Sequence, residues 1–140
     1  MKTLTSLLCA AAILVTPVFA GAQKPAAPVA FPTAAGTIVT PDEVAKLIAE
    51  KKATVLDLRT PEEFAAGHIA GAVNIDFLDA DFATKIAALD KSKTYVVHCA
   101  GGGRSGKSLP TLEKEGLKSV LHLQQGFKGW QSAGKPVETK

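Results

Sequence analysis

The chain has 140 residues, with 16 basic and 13 acidic side chains and a formal net charge of +3. That excess is too mild and too dispersed to mark a nucleic-acid-binding protein or one held on an anionic membrane surface. The length suffices for one domain with a real hydrophobic core, not for two.

Met1-Lys2 opens a short basic region, and Leu4 to Val15 is an almost unbroken apolar run of about a dozen residues. Val18-Phe19-Ala20 then offers small side chains at both cleavage-site positions, ahead of Gly21. This is the pattern of a secretory signal over 1–20, too short to span a bilayer. The expected location is the periplasm, with no membrane span after the signal is removed. Cys9 sits in the middle of the apolar run rather than at its end, which argues against a lipid anchor. Cleavage after Ala20 discards Cys9 and leaves Cys99 alone, so no internal disulfide can form. An unpaired thiol in an oxidising compartment is a reactive group that needs an explanation. Residues 21–36 carry Pro25, Pro28 and Pro32 among alanines and read as an extended linker.

From residue 37 onward, strand and helix patterns alternate. Thr37-Ile38-Val39 is a short strand. Thr40-Pro41-Asp42-Glu43 starts a helix, with Thr40 as N-cap, Pro41 in the first turn and Glu43 closing a capping box. Val44, Leu47 and Ile48 give that helix one apolar face. Thr54 to Leu58 is a strand, apolar apart from Asp57 near its end. Thr60-Pro61-Glu62-Glu63 repeats the cap signal, and Gly67 is placed to stop a short helix. Ala72 to Ile75 reads as a third strand and Asp81 to Leu89 as a third helix, with Phe82, Ile86 and Leu89 inward. Thr94 to His98 is the fourth strand, Ser105 to Glu115 the fourth helix and Gly116 its stop. Ser119 to Leu123 and Gly126 to Ala133 complete the pattern, with Phe127 and Trp130 as core residues. Strands separated by helices at this spacing imply a parallel sheet covered on both faces, with its site beyond the carboxyl ends of the strands.

The segment Val96-Val97-His98-Cys99-Ala100-Gly101-Gly102-Gly103-Arg104-Ser105 falls at such an end. It joins a β-branched strand to a helix through three glycines, which makes a nest of backbone N–H groups suited to an anion. A thiol in that nest ionises easily and becomes a nucleophile. A free thiol with a pKa of about 8.5 is only a few per cent ionised at neutral pH. Lowering it by two units takes about 2.7 kcal/mol. One helix terminus supplies about 0.3–1 kcal/mol, whereas each charge-assisted N–H bond supplies about 1.5–3 kcal/mol. The backbone nest is therefore expected to matter more than Arg104. Only two of the basic residues are arginines, Arg59 and Arg104, and both lie at strand ends.

Asp57-Leu58-Arg59-Thr60-Pro61-Glu62-Glu63-Phe64, followed by Gly67-His68-Ile69-Ala70-Gly71-Ala72-Val73-Asn74-Ile75, resembles the first signature of the rhodanese family. The Cys99 loop is similar to its active-site loop, and Gly126 through Trp130 to Gly134-Lys135-Pro136-Val137 is similar to its C-terminal end. The resemblance covers about Thr37 to Glu138, so residues 37–140 are assigned as one rhodanese domain. It implies a three-layer α/β/α sandwich with a five-stranded parallel sheet. It also implies sulfur transfer from thiosulfate or a related donor to cyanide or a thiol, through a persulfide on Cys99. In that scheme Ala100, Gly101, Gly102, Gly103, Arg104 and Ser105 form the substrate-binding loop, and their N–H groups stabilise the sulfur anion. Neither a metal nor a cofactor is called for, and a protein acceptor is compatible with the chemistry.

Arg104 is expected to bind the anionic end of the donor, the alternative being a salt bridge that closes the loop. Arg59 is read as loop support or anion attraction, against a pair with Asp57 or Glu63. Asp57 is read as structural support at the sheet edge. His98 faces away from Cys99 by strand alternation and is expected to be packed, while His68 and His122 lack ligand spacing for a metal. Two departures from the family pattern stand out. Gly101 replaces a common Ser or Thr, and Gln125 replaces a common glycine, which would strain the turn if it needs a positive φ there. Two rivals share the loop: a persulfide carrier without turnover, and a phosphatase of the same fold. The phosphatase has a longer stretch between Cys and Arg, whereas the short one here wraps a single sulfur.

Overall fold

The computed structural model describes residues 36–140, so the signal and all but the last residue of the linker lie outside the described residues. In chain order the elements are β1 (Thr37–Ile38), α1 (Pro41–Ala49), β2 (Thr54–Asp57), α2 (Pro61–Ala66), β3 (His68–Ile69), β4 (Val73–Asn74), α3 (Phe82–Ala87), β5 (Tyr95–His98), α4 (Gly103–Lys114), β6 (Val120–His122), α5 (Gly126–Ser132) and β7 (Val137–Glu138). Five strands form one parallel sheet in the order β1-β6-β5-β2-β4. Every connection inside that sheet is a crossover, because parallel neighbours cannot be joined by a tight hairpin.

The strands are apolar on both faces, and successive residues feed two separate cores. Val55, Val96 and Leu121 join Val44 and Leu47 of α1 and Phe127 and Trp130 of α5 in one cluster. Leu56, Val97 and Val120 join Phe82 and Ile86 of α3 and Leu112 of α4 in the other. Helices therefore cover both faces, and the molecule is a three-layer α/β/α sandwich.

Both threonine caps form complete boxes. The Glu43 backbone N–H donates to Thr40 Oγ1 and the Thr40 N–H donates to Glu43 Oε2; Thr60 and Glu63 repeat the arrangement. A cap of this kind is worth about 0.5–2 kcal/mol. The second box matters beyond local stability, because it fixes Glu63 beside the functional loop.

Three differences from the sequence reading concern element bounds. A small antiparallel sheet pairs β3 with β7, His68 opposite Glu138 and Ile69 opposite Val137. These strands are two residues long and exist through pairing 68 to 70 residues away, so no local pattern marks them. Helix α3 is shorter at both ends than the apolar spacing implies, and Leu89 packs at the core edge, only partly buried. Helix α4 starts at Gly103, two residues before Ser105. Arg104 and Ser105 are therefore in its first turn rather than in the loop.

Candidate active site

The register places Asp57 opposite His98 at the carboxyl ends of β2 and β5. Cys99 follows at the tip of the central strand. The chain then turns through Ala100 and Gly101 to Gly102, whose φ of +91° sets the N-cap of α4. The Gly102 N–H points back and donates to Cys99 Sγ at 3.1 Å. Ser105 Oγ lies 3.6 Å from the same sulfur and 3.1 Å from the Gly102 carbonyl. Burial pushes the Cys99 thiol up. Hydrogen bonds from the Ser105 backbone, the Ser105 hydroxyl and the Gly101 and Gly102 backbones outweigh it, and the thiol ends below its ordinary value. The backbone nest and the Ser105 hydroxyl together favour the thiolate. Its donors are Gly101, Gly102 and Ser105, a subset of the six residues expected.

The base of the loop is clamped by the start of α5. The Phe127 N–H donates to the Cys99 carbonyl at 2.7 Å and the Lys128 N–H to the Ala100 carbonyl at 3.1 Å. This close approach requires Gly126, which has a φ of +61° and whose added Cβ would stand 2.6 Å from the Cys99 carbonyl oxygen. Gln125 has φ −71° and ψ −11°, an ordinary right-handed conformation. The positive φ of this turn falls on Gly126 alone, so glutamine at 125 is unstrained.

Arg104 does not stand free at the mouth. Its Nη1 and Nη2 donate to Glu63 Oε2 and Oε1 at 2.8 and 2.9 Å. The Arg104 guanidinium, with the Thr60 backbone adding to it, holds the Glu63 carboxyl below the ordinary carboxylate value against the pull of burial. Glu63 thus caps α2 and anchors the first turn of α4 at once. The sequence reading gives Glu63 as a cap and as one alternative partner of Arg59, not of Arg104, since nothing local links positions 41 residues apart.

Arg59 is buried. Its Nε donates to Asp57 Oδ1 at 2.9 Å, its Nη2 donates to Asp57 Oδ2 and to the Gly67 carbonyl at 2.7 Å, and its guanidinium lies 4.0 Å over the Phe127 ring. Asn74 Nδ2 donates to the backbone carbonyls of Asp57 and Arg59 at 3.0 and 2.8 Å. The arrangement ties β2, α2, β4 and α5 together and engages the Arg59 guanidinium with Asp57, the Gly67 carbonyl and the Phe127 ring. Breaking a pair buried this deeply costs about 3–5 kcal/mol.

His98 is fully buried, and its Nδ1 lies 3.1 Å from the Cys99 carbonyl, not the sulfur. A carbonyl only accepts, so the ring proton is on Nδ1. Nε2 has no hydrogen-bond partner and lies 3.6 Å from Asp57 Oδ2. Burial holds His98 below the ordinary imidazole value, although Asp57 pulls the other way. The ring is neutral at neutral pH. His68 Nδ1 bonds to the Phe64 carbonyl at 3.0 Å. His122 reaches the site, with Nε2 2.9 Å from Ser105 Oγ. Among the described residues no cluster of His, Cys, Asp and Glu could hold a metal ion, and no helix is long and apolar enough to cross a membrane.

A cysteine at the carboxyl end of a central parallel strand, ringed by N–H groups at a helix start, defines an α/β domain built to hold a sulfur anion. The family model described as a rhodanese-like domain matches residues 40–133. The chain belongs to the rhodanese family. Thiosulfate sulfurtransferase GlpE of Pseudomonas aeruginosa (strain LESB58) is 38% identical over 98 residues, 69% of this chain and 86% of that protein. The chloroplastic thiosulfate sulfurtransferase 16 of Arabidopsis thaliana is 32% identical over 93 residues, 59% of this chain and 78% of that protein. Among solved structures, a rhodanese-related protein from Thermoplasma volcanium matches with a TM-score of 0.67 and 31% identity, covering 74% of this chain and 99% of that one. Relatives of this kind support sulfurtransferase activity in general.

Proposed function

We propose that the protein moves sulfane sulfur from thiosulfate or a related donor to a thiophilic acceptor, cyanide or a thiol, through a persulfide on Cys99. The observation that carries the reading is the hydrogen bond from the Gly102 N–H to Cys99 Sγ, within a set of donors that lowers the thiol's pKa. In the first step the Cys99 thiolate attacks the outer sulfur of thiosulfate. A new S–S bond forms, the old one breaks, and its electron pair leaves with sulfite. In the second step the acceptor attacks the outer sulfur of the persulfide, and the electron pair of that S–S bond returns to Cys99 as thiolate. The same N–H groups face the sulfur in both states. Cys99 is only 2% exposed, so the site admits a single terminal sulfur more readily than a bulky group.

With the Arg104 fork engaged by Glu63, the donor's sulfonate meets the cation at the mouth by sharing or exchanging that pair. The short stretch from Ala100 to Gly103 weighs against the phosphatase reading, because it leaves too small a ring for a tetrahedral phosphate. A persulfide carrier uses the same cysteine and differs in turnover. Steady-state kinetics with thiosulfate and cyanide, run beside hydrolysis of a generic aryl phosphate, separates the three. The expected outcome is sustained thiocyanate formation with no phosphate release. One sulfur delivered per protein without turnover favours the carrier, and rapid phosphate release overturns the reading.

The proposed location is the periplasm, on the signal pattern of residues 1–20. N-terminal sequencing of exported protein is expected to begin at Gly21. An intact Met1, or a lipid on Cys9, refutes it.

A further inference from the structure

Ser105 Oγ has three polar neighbours: His122 Nε2 at 2.9 Å, the Gly102 carbonyl at 3.1 Å and Cys99 Sγ at 3.6 Å. The hydroxyl has one proton to give. If His122 Nε2 were bare, all three neighbours would be acceptors, and the imidazole nitrogen or the carbonyl would hold the proton away from the sulfur. If Nε2 carries the proton, it donates to Ser105 Oγ. The hydroxyl then chooses only between the Gly102 carbonyl and Cys99. A thiolate wins that choice because a hydrogen bond to an ion is roughly twice as strong as a neutral one. Burial holds the His122 imidazole below its ordinary value, although the Gly102 backbone pulls the other way, so the ring is neutral and one of its two nitrogens carries the proton.

We propose that His122 is a positioning residue for sulfur transfer: as the Nε2–H tautomer it aims the Ser105 hydroxyl at the Cys99 sulfur. Alternation along β6 makes this possible. Leu121 belongs to the core under α1 and α5, so His122 faces the other side of the sheet, toward α4. There its Cε1 packs 3.7 Å from where a Cβ would stand on Gly106. Its strand partners are Ile38 of β1 and Val97 of β5, which do not titrate, and among the described residues no charged side chain acts on the ring. Around the sulfur itself, the charged group is Arg104, held by Glu63. When Cys99 carries the outer sulfur, its own sulfur is no longer an anion, and the Ser105 hydroxyl is free to turn to the Gly102 carbonyl. The donor thus follows the charge from one state of the cycle to the next.

The proposal rests on Cys99 as the nucleophile, and its test does not depend on any sulfur donor. The pH profile of Cys99 alkylation by iodoacetamide is measured in the wild type and in His122→Phe, His122→Gln and Ser105→Ala. His122→Phe is expected to raise the thiol pKa by about one unit, the value of one hydrogen bond to an ion. His122→Gln, which keeps an N–H at the Nε2 position, is expected to restore the wild-type profile. His122→Phe added to Ser105→Ala is expected to shift it no further, because the histidine acts through that hydroxyl. An unchanged profile in folded His122→Phe, or an equal extra shift on top of Ser105→Ala, overturns the proposal. Nitrogen NMR of the imidazole in the wild-type protein provides a test that no variant's folding can spoil. Protonated Nε2 with bare Nδ1 is expected at neutral pH, and the opposite tautomer overturns it. A protein that shows these shifts yet never transfers sulfur refutes the proposed function and leaves the positioning intact.

Discussion

Cys99→Ser abolishes sulfur transfer and leaves the fold standing. A serine hydroxyl is not ionised at any working pH and cannot carry a sulfane sulfur, so turnover with thiosulfate and cyanide is expected to fall at least about 10⁴-fold. The substitution is nearly isosteric, and the Gly102 N–H keeps an acceptor in the hydroxyl oxygen, so the core around the loop need not move. Mass spectrometry after thiosulfate treatment checks the mechanism directly. The wild type gains one sulfur, removable by cyanide, and Cys99→Ser gains none. Activity surviving in the variant would sink the mechanism.

The lowered thiol pKa adds a signed consequence. Between the folded value and the unfolded value of about 8.5, the unfolded chain holds the thiol proton and the folded chain does not. Stability then rises with pH across that window and the contribution is complete above it. Cys99→Ser lacks this contribution. The difference in melting temperature between wild type and variant is expected to grow in favour of the wild type as pH rises toward about 8.5. A difference that shrinks over the same range would mean that the nest does not favour the anion.

Features set by neighbouring residues were legible in the sequence. Both capping boxes follow from Thr, Pro and Glu at fixed offsets, and both form. The apolar runs around Val55, Val96 and Leu121 imply strands buried on two faces, and two cores meet there. The cysteine nest was legible because a strand, glycines and a helix start follow one another directly. What escaped notice depends on register between distant segments. Glu63 reads as a cap until α4 brings Arg104 against it. His122 reads as a stray histidine until the pairing of β6 with β5 sets it beside Ser105. The β3–β7 pair needs both ends of the domain to be in place. The strain at Gln125 was conditional on a positive φ there, and sequence alone does not say which residue of the turn takes it; Gly126 does.

The three loop glycines look interchangeable in the sequence, and the structure separates them. A Cβ on Gly101 or Gly103 would meet nothing within 4 Å. A Cβ on Gly102 would stand 2.1 Å from the Gln124 carbonyl oxygen, at a φ of +91° that side chains rarely adopt. The conformation alone costs alanine about 1–2 kcal/mol, and the contact cannot be met without moving backbone. Gln124 has little room to yield, because the turn around it is tied by the Gly126 N–H on the Leu123 carbonyl and the Phe127 N–H on the Cys99 carbonyl. The Gly102 side must therefore shift. Its N–H leaves Cys99 Sγ, and its carbonyl leaves both Ser105 Oγ and the Gly106 N–H. Losing one preorganised donor to a reacting anion typically costs about 10²–10³-fold. Gly102→Ala is accordingly expected to reduce thiosulfate:cyanide turnover about 10²-fold or more and to raise the pH at which Cys99 is alkylated. Gly101→Ala and Gly103→Ala are expected to stay within about threefold of wild type, the second aided by the better helix propensity of alanine in the first turn of α4. Equal losses at all three positions would mean that open space at the mouth, rather than N–H geometry, limits the reaction. A Gly102→Ala protein at the wild-type rate would mean that the donor seen on the sulfur contributes nothing to its chemistry.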